Sequence, residues 1–296
     1  MRLKFKPNFV ERYEKFTDFK SYEESIQKFP PRSIRVNILK ISVEDLKERF
    51  EEEWLLEQIP WCKEGFYIKN KISGRRDIGN LKEHKEGLFF IQNSVTMIPA
   101  QLLNPSKNDL VLDMCAAPGA KTTHLAALME NKGRIIAIDN SKARIKVLVL
   151  NLRRCNVKNT EVIFTDSRSV KGSYDKILLD TPCSGTGRIK GKSRETRDIL
   201  RAYNLKVIEK FSRIQKQLIE HAFNLLKKDG ILIYSTCSLE PEEDEEIVKF
   251  LLDKYKNAEL EKINLPIKGD FNYGLKIWPQ YQNTEGFFVA KIKKIS

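Results

Sequence analysis

The 296-residue sequence predicts a doubly wound α/β fold. Three observations predict it. From about residue 110 onward, short apolar runs alternate with amphipathic helical stretches. The runs are apolar at nearly every position, as strands covered on both faces are. Two further β-prone segments follow the last helix and would close the sheet as an antiparallel hairpin.

In order, the strands are LVLDMCA (110–116), RIIAID (134–139), EVIFTD (161–166), DKILLD (175–180) and GILIYSTC (230–237). Helices are expected near 120–130, 141–154 and 197–228, with Ser141 as an N-cap. Another opens near 241 on the EPEEDEE run, whose acids suit a helix N-terminus. The hairpin occupies 274–279 and 285–293, giving a mostly parallel seven-stranded sheet. Residues 1–93 read as a separate small α+β region. They carry helical fragments at 11–19 and 43–53 and β-prone pieces at 33–39, 65–69 and 87–92. The division expected is therefore 1–93 and 94–296.

Composition narrows the function. Hydrophobic residues make up 41 % and charged residues 31 %, too apolar for disorder. The net charge of +13 suggests a polyanionic partner. No apolar run has the length of a membrane span, and the start MRLKFKPNFVERYEKF lacks the core of a secretion signal. The five cysteines are odd in number and form no CxxC pair. His84, His124 and His221 lie far apart in sequence. No disulfide framework and no metal are expected, and the cytoplasm is the expected location.

In an open α/β sheet, ligands bind at the carboxyl ends of the strands. The first strand runs into CAAPGAKT, Cys115 to Thr122. Pro118 and Gly119 make a tight turn that offers backbone N–H groups and a helix N-terminus. Asp139 ends the second strand, where it can accept from both hydroxyls of a ribose. Asp166 ends the third, where it can bind an adenine amine. Asp180 ends the fourth. The turn has neither GxGxxG nor GxxxxGK[ST], so a phosphate chain fits poorly. A nucleoside without phosphates, S-adenosyl-L-methionine, fits better.

Cys183 follows the fourth strand and Cys237 the fifth. Free cysteines are usually small core residues, but these two open onto the cleft. Pyrimidine carbon 5 is a poor nucleophile until a thiolate adds to carbon 6. A carboxylic acid near ring nitrogen 3 helps by neutralising developing charge. Amine methylation needs no cysteine. Two strand-end cysteines beside Asp180 therefore favour methyl transfer to pyrimidine carbon.

At these residues the sequence resembles the RNA (cytosine-5)-methyltransferases of the Nop/Sun (RsmB-like) family, particularly its small archaeal tRNA members. The resemblance runs through IRVNILK (34–40), FFIQNSVTMIPAQLL (89–103), DMCAAPGAKTTHLA (113–126), AIDNSKARI (137–145), TDSR (165–168), DTPCSGTG (180–187) and STCSLEPEE (235–243). It implies a Rossmann-like class I methyltransferase fold. It also implies that Cys237 attacks the base, Cys183 assists breakdown of the adduct, Lys121 reaches the target and Asp180 contacts the cytosine. The cofactor would be held by Cys115, Ala116, Ala117, Pro118, Gly119, Ala120, Lys121, Asp139, Arg144, Asp166 and Asp180. Some relatives append an RNA-binding domain of the PUA type, and none is expected after the last strand here.

RNA contacts are expected from Arg188, Lys190, Lys192 and Arg194, which begin a basic stretch running to Lys216 with a net charge of +7. Arg32, Arg35, Arg75 and Arg76 with Tyr67, Phe89 and Phe90 add a basic and aromatic set in the N-terminal region. His124 and His221 are expected to pack in helices. The expected function is S-adenosylmethionine-dependent methylation of carbon 5 of cytidine in RNA, tRNA before rRNA, by a monomer with no DNA partner. A uridine enzyme, and a non-catalytic RNA-binding or assembly factor retaining the fold, are the alternatives.

Overall fold

The computed structural model of the chain describes residues 3–72 and 77–296. Arg75 and Arg76 lie outside the described residues. Five parallel strands form the centre, in the order Leu226–Thr236, Tyr174–Asp180, Leu110–Asp113, Arg134–Asp139 and Thr160–Phe164. Phe287–Lys294 joins antiparallel to Leu226–Thr236, and Leu275–Ile277 pairs with it as the expected hairpin. Two short strands go beyond the expected seven. Asp270–Phe271 lies outside Leu275–Ile277, and Ala258–Glu261 pairs with the far half of Phe287–Lys294. Among the described residues the large sheet thus has nine strands.

The apolar runs are explained by two buried faces. Leu112, Ile177, Leu179, Leu232 and Tyr234 meet Ile219, Ala222, Phe223 and Leu251 on one side. Their chain neighbours Val111, Leu178 and Ile233 meet Met97, Ile98, Leu125 and Ala126 on the other. Each aliphatic side chain so buried contributes about 1.5–3 kcal/mol.

Helices Ala120–Leu128 and Lys142–Arg154 follow the sequence closely, and Ser141 accepts from the Arg144 N–H as the N-cap. The single helix expected at 197–228 is two, Arg194–Ala202 and Leu205–Leu225. Asn204 is extended and caps the second through Lys206 N–H, so it starts a new helix. The helix expected from 241 begins only at Glu245, because the preceding acids bind elsewhere in the fold.

In the N-terminal region, Trp54–Gln58, Gly65–Asn70, Ser33–Val36 and Phe89–Ile91 form a four-stranded antiparallel sheet, in that order. The first helical fragment is split. Pro7–Tyr13 ends early, and Asp18 caps a second helix, Phe19–Ile26. These two helices pack against the loops that follow the fourth and fifth central strands. Phe9, Tyr13, Tyr22 and Ile26 share an aromatic-rich core with Ile189, Tyr203, Leu239 and Trp278. Among the described residues no helix is long and apolar enough to cross a membrane.

Candidate active site

Adjacent parallel strands deliver two thiols to one place. Asp180 is in register with Ser235, so the loops that follow leave the sheet side by side. Cys183 and Cys237 both stand at the cleft, partly accessible, with their Sγ atoms 2.8 Å apart. Gly187 fixes this approach. Its N–H donates to the Cys237 carbonyl at 2.9 Å and its own carbonyl accepts from Gly286 N–H at 2.8 Å. A Cβ on Gly187 would lie 2.3 Å from the Gly286 carbonyl oxygen, so only glycine fits between the two backbones.

The two thiols are not equivalent. A hydrogen bond from Cys183 lowers the pKa of Cys237 below the ordinary thiol value, and the nearby Arg188 guanidinium adds to this against the cost of burial. The same contact, with burial, pushes Cys183 well up. The pair thus favours a thiolate on Cys237 with the proton kept on Cys183.

Asp180 and Lys121 stand next to the thiols. Lys121 Nζ donates to Asp180 Oδ2 at 2.7 Å, and Ser235 Oγ donates to Asp180 Oδ1 at 2.7 Å. Thr181 Oγ1, beside them, is buried without a hydrogen-bond partner.

Behind the cysteines lies a shell that the sequence reading assigned to a helix dipole. Glu240, Glu243 and Asp244 are fully buried. Glu243 accepts from Ser184 N–H at 2.9 Å, from Gln215 Nε2 at 3.0 Å and from Ser238 Oγ at 3.1 Å, and so ties both cysteine loops together. Glu240 accepts from Arg12 Nε and Tyr13 Oη, both at 2.9 Å, anchoring the first helix to the loop that carries Cys237. Asp244 accepts from Thr236 Oγ1 at 2.6 Å and pairs with the buried Lys276. Burial raises the pKa of all three acids. Only Glu245 and Glu246 occupy a first helical turn. Their density in one short run was the available signal, since so many acids exceed what one helix N-terminus uses.

The turn from Cys115 to Lys121 packs its small residues inward, with Ala116 and Ala117 buried against Ala137, Leu148 and Leu152. Gly119 has φ +101°, and a Cβ there would meet Leu148 at 2.8 Å. Burial raises the Cys115 thiol pKa, leaving it a neutral wall residue. No side chain caps the helix that starts at Ala120. Asp139 is buried and holds the turn, accepting from Ala117 N–H at 3.3 Å and Ser141 N–H at 3.0 Å. Arg144 pairs with Asp139 at 3.3 Å and also donates to the Ala117 carbonyl. Asp166 is more open. The Arg168 side chain and N–H hold its pKa down to about 2. This set fits a nucleoside cofactor such as S-adenosylmethionine: Asp139 and Asp166 could accept from hydroxyls or an amine, the uncapped amides at Ala120 could meet a carboxylate, and Thr181 Oγ1 is buried without a partner.

The RNA-contact residues divide. Arg32, Lys192 and Arg194 are exposed. Arg188 is exposed but pairs with Glu195 and faces the Cys237 thiol. Lys190 is half-buried against Glu285, and lines with Arg32 a cavity of about 730 Å³ walled by Phe29, Trp54 and Gln92. Arg35 corrects the expectation. It is 2 % exposed and donates to Thr123 Oγ1 at 2.8 Å, so it serves the junction between the two regions and is out of reach of a phosphate. Phe89 and Phe90 are likewise buried and not free to stack on bases.

His221 Nε2 donates to the Val170 carbonyl at 2.9 Å, and His84 Nδ1 donates to the Gly79 carbonyl at 3.1 Å. His124 is buried, as expected, but not among apolar groups alone. Folding brings it beside Cys62 and Glu64, 62 and 60 residues away in sequence, a grouping that spacing could not reveal.

Comparison with known proteins gives a consistent result. Residues 100–293 match the family described as 16S rRNA methyltransferase RsmB/F, and residues 5–94 match the N-terminal domain of 16S rRNA methyltransferase RsmF. The tRNA (cytosine(49)-C(5))-methyltransferase of Pyrococcus abyssi is 39 % identical, covering 98 % of this chain and 97 % of its own length. Ribosomal RNA small subunit methyltransferase F of Vibrio atlanticus is 40 % identical over 94 % of this chain, which spans 61 % of that protein. Among solved structures, a methyltransferase homolog protein from Pyrococcus horikoshii aligns with a TM-score of 0.83 and 32 % identity, covering 98 % of this chain and 100 % of its own. NSun6 from Pyrococcus horikoshii, solved with SFG, aligns with a TM-score of 0.85 and 28 % identity, covering 98 % of both chains.

Proposed function

Since the chain belongs to the RsmB/F family of RNA methyltransferases, we propose that it methylates carbon 5 of a cytidine in RNA, using S-adenosyl-L-methionine and a covalent adduct on Cys237. The observation that carries this reading is the pair of cleft thiols 2.8 Å apart, with the one on Cys237 biased toward thiolate. Neither an amine methyltransferase nor a non-catalytic factor has use for such a pair.

The bound cofactor supplies an electrophilic methyl group beside the base. Cys237 sulfur adds to carbon 6 of the cytosine, and the ring electrons collect toward carbon 5 and nitrogen 3. Nitrogen 3 takes a proton from solvent, and the Asp180 carboxylate, held by Lys121 and Ser235, accepts from that N–H, so that the charge on the ring is neutralised. The methyl group would pass to carbon 5 with the donor leaving as a neutral thioether, and the carbon-5 proton would then leave to a solvent base. The carbon–sulfur bond breaks and Cys237 leaves as the thiolate. Cys183, which holds a proton beside that sulfur, assists this release. Asp139, Arg144, Asp166 and residues 115–121 hold the nucleoside end of the cofactor. Residues 1–93 act as the RNA-binding region, with Arg32 there and Lys192 and Arg194 in the loop after Cys183 at phosphates.

The favoured substrate is tRNA, because the Pyrococcus abyssi tRNA enzyme matches over nearly the full length of both chains, whereas the ribosomal enzymes extend well beyond the match. SFG, an analogue of S-adenosylmethionine, in NSun6 of Pyrococcus horikoshii supports the cofactor assignment. The enzyme is proposed to work as a cytoplasmic monomer. Bisulfite sequencing of total RNA from cells with and without this protein tests the proposal. A protected cytidine in tRNA that disappears with the protein supports it. An unchanged tRNA pattern with a lost ribosomal RNA site moves the substrate to rRNA, and no lost site anywhere rejects the activity.

A further inference from the structure

A second polar cluster sits away from the thiols, where the two regions of the chain meet. Cys62 and Glu64 come from the turn between strands Trp54–Gln58 and Gly65–Asn70. His124 comes from the helix that starts behind the cofactor turn, and Gln101 from the helix Ile98–Leu103. Cys62 Sγ, a Glu64 carboxylate oxygen and a His124 ring nitrogen all lie within 4.8 Å of one another. Cys62 Sγ is 3.6 Å and His124 Nε2 is 3.9 Å from Glu64 Oε2. Gln101 Nε2 stands among all three, 2.8 Å from Glu64 Oε2, 3.1 Å from His124 Nε2 and 3.5 Å from Cys62 Sγ.

We propose that Cys62, Glu64 and His124 form a binding site for a divalent zinc-type ion, with the Gln101 side chain completing it. The donor set of thiolate, imidazole and carboxylate is the mixture that suits zinc rather than magnesium or calcium. The spacing also fits. With ordinary bond lengths, a tetrahedral zinc separates its sulfur and oxygen ligands by about 3.5 Å and its nitrogen and oxygen ligands by about 3.3 Å. The sulfur–oxygen separation of 3.6 Å already fits, the nitrogen–oxygen separation of 3.9 Å must close by about 0.6 Å, and the sulfur–nitrogen separation lies within 4.8 Å. The place an ion would take is marked by a group that donates in several directions, the Gln101 amide.

A hydrogen bond from Gln101 Nε2 to His124 Nε2, 3.1 Å apart, corresponds to the tautomer a metal ligand needs, with the Nε2 lone pair toward the cluster. His124 Nδ1 is buried without a hydrogen-bond partner, so the imidazole is not held in place from that side. Glu64 and Gln101 are partly accessible and give an ion its route in. On binding, the metal–sulfur bond forms as Cys62 gives up its thiol proton to solvent. Gln101 turns its amide so that the oxygen, not the nitrogen, faces the ion. The buried Arg35 guanidinium, on Thr123 next to His124, offsets one of the two anionic ligands. The ion would staple the N-terminal region to the helix that opens at the cofactor turn. The site does not depend on the methylation reading, and its test uses neither RNA nor cofactor.

The test is titration of the reduced, chelator-treated full chain with cobalt(II), followed by absorbance, and with zinc(II), followed by native mass spectrometry. One equivalent is expected, with sulfur-to-cobalt charge-transfer absorption. Cys62→Ser should abolish that absorption, and Glu64→Gln should weaken binding by more than about tenfold. The double variant Cys183→Ser/Cys237→Ser removes the other adjacent thiols and should keep the absorption. Zinc should raise the thermal unfolding midpoint of the unmodified chain more than that of Glu64→Gln. The site is refuted if the unmodified chain takes up no saturating equivalent, if absorption survives Cys62→Ser, or if it vanishes with the double variant. Should Cys62→Ser lose its far-ultraviolet dichroism, Glu64→Gln and His124→Gln decide by the same titration.

Discussion

Cys183 Sγ lies 2.8 Å from Cys237 Sγ, although the two residues are 54 positions apart and leave different strands. The contact places a proton-bearing sulfur against the one that Arg188 helps to ionise.

The first prediction separates the two sulfurs. Cys237→Ala should lower turnover by on the order of 10⁴-fold and form no covalent complex with RNA. Cys183→Ala should instead accumulate a protein–RNA adduct that survives denaturing electrophoresis. An active Cys237→Ala enzyme would remove the nucleophile from the mechanism.

The second concerns pH. The Cys183 hydrogen bond holds the Cys237 pKa below the ordinary thiol value. Single-turnover adduct formation should therefore rise with pH through that lowered pKa. In Cys183→Ala the donor is gone, so the rising limb should move to higher pH. A limb that stays in place, followed by rapid quench, means Cys183 does not tune its partner.

The third tests the buried shell. Glu243→Ala leaves Ser184 N–H and one of the two Gln215 Nε2 hydrogens without an acceptor and frees both cysteine loops. The cost should be about 2–4 kcal/mol of stability in denaturant unfolding. Adduct formation should fall further than cofactor binding, measured by calorimetry, because the cofactor turn is built from other residues.

The fourth is a linkage prediction. Asp113 is buried, and burial raises its carboxyl pKa from 3.8 to about 7 although Thr122 donates to it at 2.7 Å. Between these values the folded chain holds a proton that the unfolded chain has lost. Its contribution is greatest below pH 3.8 and declines as pH rises to about 7, by roughly 4 kcal/mol in all. Asp113→Asn keeps an acceptor for Thr122 and should flatten this slope in unfolding midpoints taken from pH 4 to 8.

Much of this was legible in the sequence, for physical reasons that also explain the gaps. The central strands are covered on both faces, so their apolar runs are unbroken and easy to read. Trp54–Gln58 follows three glutamates, alternates little and shows two exposed acidic or amide side chains, so it reads as coil. Ala258–Glu261 is a short edge strand with the same weakness. The strand-end residues Asp139, Asp180, Cys183 and Cys237 converge because parallel register fixes where strand ends meet. Arg35 and Glu243 misled because charge in sequence suggests solvent, while their partners Thr123 and Ser184 lie 88 and 59 residues away.

Phe287–Lys294 is paired on both sides and carries Phe287, Phe288 and Val289 into the buried core. It is also made last among the strands. During synthesis the five parallel strands can assemble on the ribosome, but one flank of the sheet stays uncovered until this segment clears the exit tunnel. The helices Pro7–Tyr13 and Phe19–Ile26 share that delay, since Trp278 completes the core they enter. These helices therefore dock only after a segment far downstream has been made, and products truncated before Trp278 would leave the aromatic face of Phe9, Tyr13 and Tyr22 uncovered.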